Sequence, residues 1–175
     1  MAVQVVTGST QQSITFTQTA TVGISSQPLT QSIPAGFNFA NATGGALNVD
    51  TIHAKQYTLA STTVTLDLFG GSLLSPSGAA CIFNRVRLFV VSVVDTTSTH
   101  LINVQSGASS GVLWLPPAAN SLWATPNGGQ LTLFDPNSIT TAGYIVDTSH
   151  KNITFDSLSL TVIFNVLIVG NSSAA

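Results

Sequence analysis

The stretch Cys81-Ile82-Phe83-Asn84-Arg85-Val86-Arg87-Leu88-Phe89-Val90-Val91-Ser92-Val93-Val94 decides how the rest of the chain is read. From Leu88 to Val94 it is apolar on both faces of an extended backbone, the pattern of a central strand covered on both sides. Working outward, period-two alternation recurs and helical periodicity does not. In residues 13–22, Ile14, Phe16, Ala20 and Val22 share one face and threonines line the other, as in a strand with one face buried. Strands are also expected at 37–41 and 46–52, joined as a hairpin about Gly44-Gly45. Residues 57–69 form a further strand region whose buried set changes parity, which predicts a bulge or break near Ser61-Thr62. Beyond the central strand, a turn at 95–98 precedes a returning strand at 100–104, and 112–115 is a short strand that stops at Pro116-Pro117. Residues 130–134, 143–147, 152–155 and 158–169 complete the set, with a loop at 70–80 and an Asp-Pro-Asn turn at 135–137.

About ten short strands separated by turn signals predict an all-β fold, an antiparallel two-sheet β-sandwich of jelly-roll type. The Ser/Gln/Pro-rich residues 23–34 are read as a connector. They divide an N-terminal arm and connector, 1–34, from a sandwich domain, 35–175.

Composition narrows the function classes. Charged residues are 6% of the 175, and none is glutamate. An ordinary soluble domain carries about 25%. Serine and threonine supply the polar surface instead, which favours strands. A surface so poor in charge has little to keep copies apart, so self-association is the expected state. The formal net charge of −2 offers no attraction to nucleic acid or anionic membrane, and residues 1–30 hold no Lys or Arg. Direct nucleic-acid binding is therefore not expected. The run 158–169 is interrupted by Ser159, Thr161 and Asn165 and is too short to span a bilayer. No secretion signal is read at the start, so synthesis in a cytoplasm is expected. Cys81 stands alone, which excludes an internal disulfide, and its apolar setting predicts a small buried residue.

Several segments fall into a recognisable layout. Leu66-Asp67-Leu68 ends one strand before a loop, and Asn84-Arg85-Val86-Arg87-Leu88 opens the next. Leu101-Ile102-Asn103-Val104 returns, and a Gly-Gly-x-Leu-x-Leu strand spans 128–133. Ala142-Gly143-Tyr144-Ile145-Val146-Asp147 and Asn165-Val166-Leu167-Ile168-Val169-Gly170 follow. In this layout, residues 65–170 resemble small structural proteins of tailed bacteriophages and related viruses. The resemblance implies a virion component assembling in many copies with itself and with other virion proteins, as capsid, decoration or tail protein. It carries no catalytic residues.

Candidate chemistry is sparse. Asp50 and His53, Asp95 and His100, and Asp147 and His150 are close in sequence. Residues three apart on a strand point to opposite faces, so Asp50 and His53 should not converge. The other two pairs lie at turns, where Asp commonly bonds its own backbone. No nucleophile elbow, phosphate loop or Cys/His cluster is present, so neither enzymatic activity nor a cofactor or metal is expected. Arg85 and Arg87 share a strand face with Cys81, Phe83, Phe89 and Val91 by parity, and are candidate subunit contacts or strand-end residues. Phe16, Trp114 and Trp123 are further interface candidates. Trp114, Trp123 and Tyr144 also suit an alternative function, a carbohydrate-binding or adhesion module, in which their rings form the platform.

Overall fold

The computed structural model describes residues 6–9, 14–18, 29–31, 38–41, 48–94, 100–117, 123–126, 129–135, 143–158 and 160–172. These residues are all-β, with no helix among them. The first strands are β1 (Val6–Ser9), β2 (Ile14–Gln18), β3 (Leu29–Gln31), β4 (Asn38–Asn41) and β5 (Asn48–Val49). They lie in one sheet in the order β3-β2-β1-β4-β5. The strands β6 (Thr51–Ala60), β7 (Thr63–Asp67), β8 (Leu73–Leu74), β9 (Ala80–Cys81), β10 (Arg85–Val93) and β11 (Leu101–Ser106) come next. Then follow β12 (Trp123–Pro126), β13 (Gln130–Phe134), β14 (Tyr144–Ile145), β15 (Asn152–Asp156) and β16 (Thr161–Asn171).

Two sheets, one of five strands and one of four, carry the core. One has the order β13-β10-β16-β6, with β14 also paired to β10; the other has the order β12-β11-β15-β7. Every pairing in both is antiparallel. Consecutive strands change sheet repeatedly. After β6 the chain turns at Ser61, whose φ is 55°, and β7 joins the second sheet. The parity change read at Ser61-Thr62 is this crossing. β15 and β16 are separated in the same way at Leu158, with φ 49°. Ser157 ties the two corners together, since its hydroxyl donates to Thr62 O and accepts from Thr62 N.

The core lies between the sheets. Phe89, Val91 and Val93 of β10 meet Ile102 and Val104 of β11, Ile153 and Phe155 of β15, and Val162, Phe164, Val166 and Ile168 of β16, all buried. Phe155 packs against Phe164 with ring centroids 5.2 Å apart and against Phe89 at 6.4 Å. Behind the first sheet a smaller cluster gathers Val49, Ile52, Leu88, Val90, Leu167 and Val169. β10 is thus buried on both faces, as the run from Leu88 predicts. The outer face of the second sheet carries neutral pairs such as Thr65 with Thr154, bonded hydroxyl to hydroxyl at 3.0 Å across directly opposed positions.

Four local expectations are corrected. Residues 112–115 form a turn, not a strand. Pro116 and Pro117 lack the N–H a ladder needs, and the spacing of buried Val112 and Leu115 around exposed Leu113 breaks the alternation. β4 and β5 pair parallel, not as a hairpin; Gly44 and Gly45 themselves lie outside the described residues. β5 runs on into β6, whose direction is set by ten residues of pairing with β16. The strand at Leu101 does not return alongside β10 but enters the other sheet, and the turn expected at 95–98 lies outside the described residues. The loop at 70–80 contains the small β8–β9 ladder, Leu73 opposite Cys81.

Candidate functional site: an aromatic cleft beside an Asp–His turn

A cleft of about 370 Å³ opens between residues 113–114 and 143–150, lined by Leu113, Trp114, Gly143, Tyr144, Ile145, Asp147 and His150. Its wall is aromatic. The Trp114 and Tyr144 rings stack with centroids 5.0 Å apart and planes at 29°. The other neighbour of Trp114 is the core residue Phe89, edge-on at 5.5 Å and 70°. Leu113 and Ile145 flank the rings with 77% and 54% of their surface exposed.

The residues before Pro117 are held by close backbone approaches. A Cβ on Gly107 would collide with Asn152, and one on Gly111 with Ser106 and Gly107. Ser106 Oγ donates to Val112 O at 2.7 Å, and Ser106 N donates to Pro116 O at 2.8 Å. Buried Val112 and Leu115 anchor the turn, leaving Leu113 outside and Trp114 laid across the core edge.

The opposite wall begins at Gly143, whose φ of 105° is left-handed territory that favours glycine. A Cβ there would press on Val86 O, Arg87 Cδ and Arg85 Cβ. Gly143 N donates to Asp135 Oδ2 at 2.6 Å, and Asp135 N donates to Arg87 O at 3.0 Å. Behind this wall Arg87 is 1% exposed. Burial lowers its pKa, while the charge of Asp135 favours its cationic form. Burial also raises the pKa of the Tyr144 phenol, and Asp135 adds to that.

At the rim, Asp147 closes a turn on itself. Its Oδ1 accepts from Ser149 N at 2.7 Å and His150 N at 2.8 Å, as the turn reading predicts. His150 Nδ1 lies 3.1 Å from both carboxylate oxygens. The bond from His150 and those from the amides hold the exposed Asp147 carboxyl below its usual range. Because Nδ1 donates to a carboxylate, the neutral ring presents Nε2 as an acceptor. Lys151 turns away to Asp67, 2.6 Å from its Oδ2.

The structure thus unites Trp114 and Tyr144 with Asp147 and His150. Trp123 opens β12 opposite Val104, and its side chain lies outside the described residues. Phe16 lies in β2 opposite Leu29. Arg85, half-buried, opposes Ile145 and Asn171. A register shift between Val86 and Leu88 corrects the parity reading: Phe89 and Val91 share their core with Val86, not with the arginines. Asp50 and His53 do not meet; Asp50 instead binds the Ser172 amide and hydroxyl. Asp95 lies outside the described residues. Leu113, Asp135, Gly143 and Ile145 were not anticipated as site residues, although the Ala-Gly-Tyr-x-Val-Asp string held two of them. Among the described residues no three His, Cys, Asp or Glu side chains form a group suited to a metal, and no helix is long and apolar enough to cross a membrane. No protein-family model, curated protein or solved structure matches the chain.

Proposed function

We propose that residues 51–171 form a jelly-roll sandwich whose role is structural: a non-enzymatic virion subunit that assembles in many copies. The strand order carries the reading. Taking the eight long strands in sequence, β6, β7, β10, β11, β12, β13, β15 and β16, one sheet holds the first, eighth, third and sixth, and the other the second, seventh, fourth and fifth. Alternation of this kind is two interlocked Greek keys, an architecture that recurs in viral shells and also in lectins and cupins. The analogy is one of fold, so the choice among these rests on the surface.

That surface favours assembly. Leu74, Ile82, Leu113 and Ile145 are 54%, 41%, 77% and 54% exposed. With charged residues only 6% of the chain, large contacts can be buried with little cost in desolvated charge. In this reading Phe16, Arg85 and Trp123 are contacts between copies, and residues 1–34 act as an arm reaching a neighbouring subunit.

Light scattering on the purified chain tests the proposal. The expected mass is a large multiple of 18.0 kDa. It should persist in about 1 M salt, where exposed charges more than about 3 Å apart are screened. Electron microscopy should show particles or lattices of uniform spacing. A monomer at both low and high salt, at high protein concentration, overturns the reading.

A further inference from the structure

We propose that the cleft walled by Trp114 and Tyr144 binds a neutral saccharide, with the apolar face of one sugar ring on the aromatic wall and its hydroxyls on Asp147 and His150. The inference goes beyond assembly; it draws on exposed Leu113 and Ile145, which that reading also uses, and sugar binding and oligomeric mass are measured separately to tell the two apart.

Sugar rings combine an apolar C–H face with an equatorial belt of hydroxyls. A site for them needs an aromatic or aliphatic wall and fixed polar groups within reach of its edge. The cleft supplies both. Trp114 and Tyr144 are locked by their 5.0 Å stacking and by the Trp114–Phe89 contact, so little side-chain freedom is lost on binding. Leu113 and Ile145 extend the apolar surface outward. At the rim, the Asp147 carboxylate accepts hydroxyl protons, and His150, its Nδ1 turned to Asp147, offers Nε2. A carboxylate hydrogen-bonding a sugar hydroxyl is a charge-assisted contact, stronger than a neutral one. The same negative charge, with no lysine or arginine lining the cleft, disfavours acidic sugars. The volume, about 370 Å³, lies at the small end of ligand sites, which suits one or two rings rather than a long chain. A second copy of the chain, with apolar side chains for the wall and serine or threonine hydroxyls for the rim, is the rival occupant, and oligomeric mass tells the two apart.

The test uses the full chain and three probes, lactose, maltose and methyl α-mannopyranoside, titrated in saturation-transfer NMR with isothermal calorimetry on any that respond. Binding of at least one is expected. Tyr144→Ala and His150→Ala should each weaken it about tenfold or more, the loss expected for a stacking face or a charge-supported hydrogen bond. Thr58→Ala, exposed on β6 and outside the cleft, should leave it unchanged. Because Trp114 packs on the core, Trp114→Phe replaces an alanine variant there, and its thermal midpoint is checked beside its affinity. No binding of any probe at about 10 mM, weaker than a useful millimolar contact, overturns the proposal. So does binding that persists undiminished in both variants. A change of oligomeric mass in Tyr144→Ala without sugar binding in the parent chain would make the cleft a contact between copies, and would leave the assembly reading standing while this one fell.

Discussion

His53 shows how much of the chain's behaviour rests on single buried polar groups. It is 1% exposed, with Nδ1 2.7 Å from Leu74 O and Nε2 2.9 Å from Tyr57 Oη. A carbonyl only accepts, so Nδ1 carries the proton and Nε2 accepts from the tyrosine. Burial lowers the imidazole pKa, the Leu74 bond opposes this, and Lys55 adds to the lowering. The same burial pushes the Tyr57 phenol up to about 12. The unfolded chain takes up the histidine proton near pH 6.5 and the folded chain only at lower pH. Stability from this residue is therefore complete above about pH 6.5 and declines as pH falls toward the folded pKa. Urea midpoints at pH 7.5, 6.5 and 5.5 should fall in that order, and His53→Phe should flatten the decline while lowering the value at pH 7.5. An identical decline in the variant would sink this assignment. Sequence reasoning saw His53 only as the near neighbour of Asp50. Its real partners are Tyr57, four residues along the same strand face, and the carbonyl of Leu74, twenty-one positions away, which no local pattern announces. Trp114 and Tyr144 stood out in the sequence as candidate aromatics, but their stacking did not, because thirty positions of chain separate them.

At the scale of elements, β10 is the most legible strand and also the one where alternation misleads. The long apolar run forecast a strand buried on both faces, and residues 88–91 and 93 are at most 2% exposed. The inserted residue at Arg87 then reverses the parity, which a count of odd and even positions cannot reveal. The partner strand accommodates the irregularity at Gly170. It lies opposite Val86, and a Cβ there would overlap Arg85 O and crowd Phe83 Cδ1. Backbone cannot rotate aside as a long side chain can, so Gly170→Ala must displace β16 from β10. The expected cost is about 1–3 kcal/mol, the range for overpacking a filled site. Calorimetry should record a thermal midpoint lower by about 2–4 °C per kcal/mol, the shift for a chain of this length. A midpoint within about 1 °C of the parent, less than 1 kcal/mol would shift a chain of this length, would show that the two strands do not approach this closely. The hydrophobic pattern ended the last strand at Val169, whereas β16 runs on through Gly170 to Asn171, and the reason for a glycine there is the facing bulge.

At the scale of the whole molecule, the all-β class was readable because alternation and turn residues are local, although sixteen strands stand among the described residues where about ten were expected. Strand order was not, because it consists of pairings between distant residues. The clearest example is β16, which pairs with β6 through ten positions from Thr161–Ala60 to Gly170–Thr51 and with β10 on its other edge. Val162, Phe164, Val166, Leu167, Ile168 and Val169 are each 0% exposed and enter both clusters. The strand made last thus forms the centre of the first sheet, and the ends of its pairing with β6 are about a hundred residues apart along the chain. Loop-closure entropy must be overcome before any of that burial is gained, so refolding should be slow, in the millisecond-to-second range typical of sheet proteins or beyond it. Ending the chain after Leu160 should do more than remove one strand. It would strip β10 and β6 of their shared neighbour and open the core between the sheets, leaving no cooperative unit. The 1–160 fragment should lack near-ultraviolet circular dichroism and a cooperative urea transition, and should be cleaved rapidly by protease, while the full chain shows a single transition. Adding a synthetic peptide of residues 161–172 should restore part of the signal, because its partner edges are complementary and otherwise empty. A fragment that unfolds cooperatively without the peptide would mean that β6 and β10 hold their places unaided, and that the central position of β16 is a consequence of folding rather than its requirement.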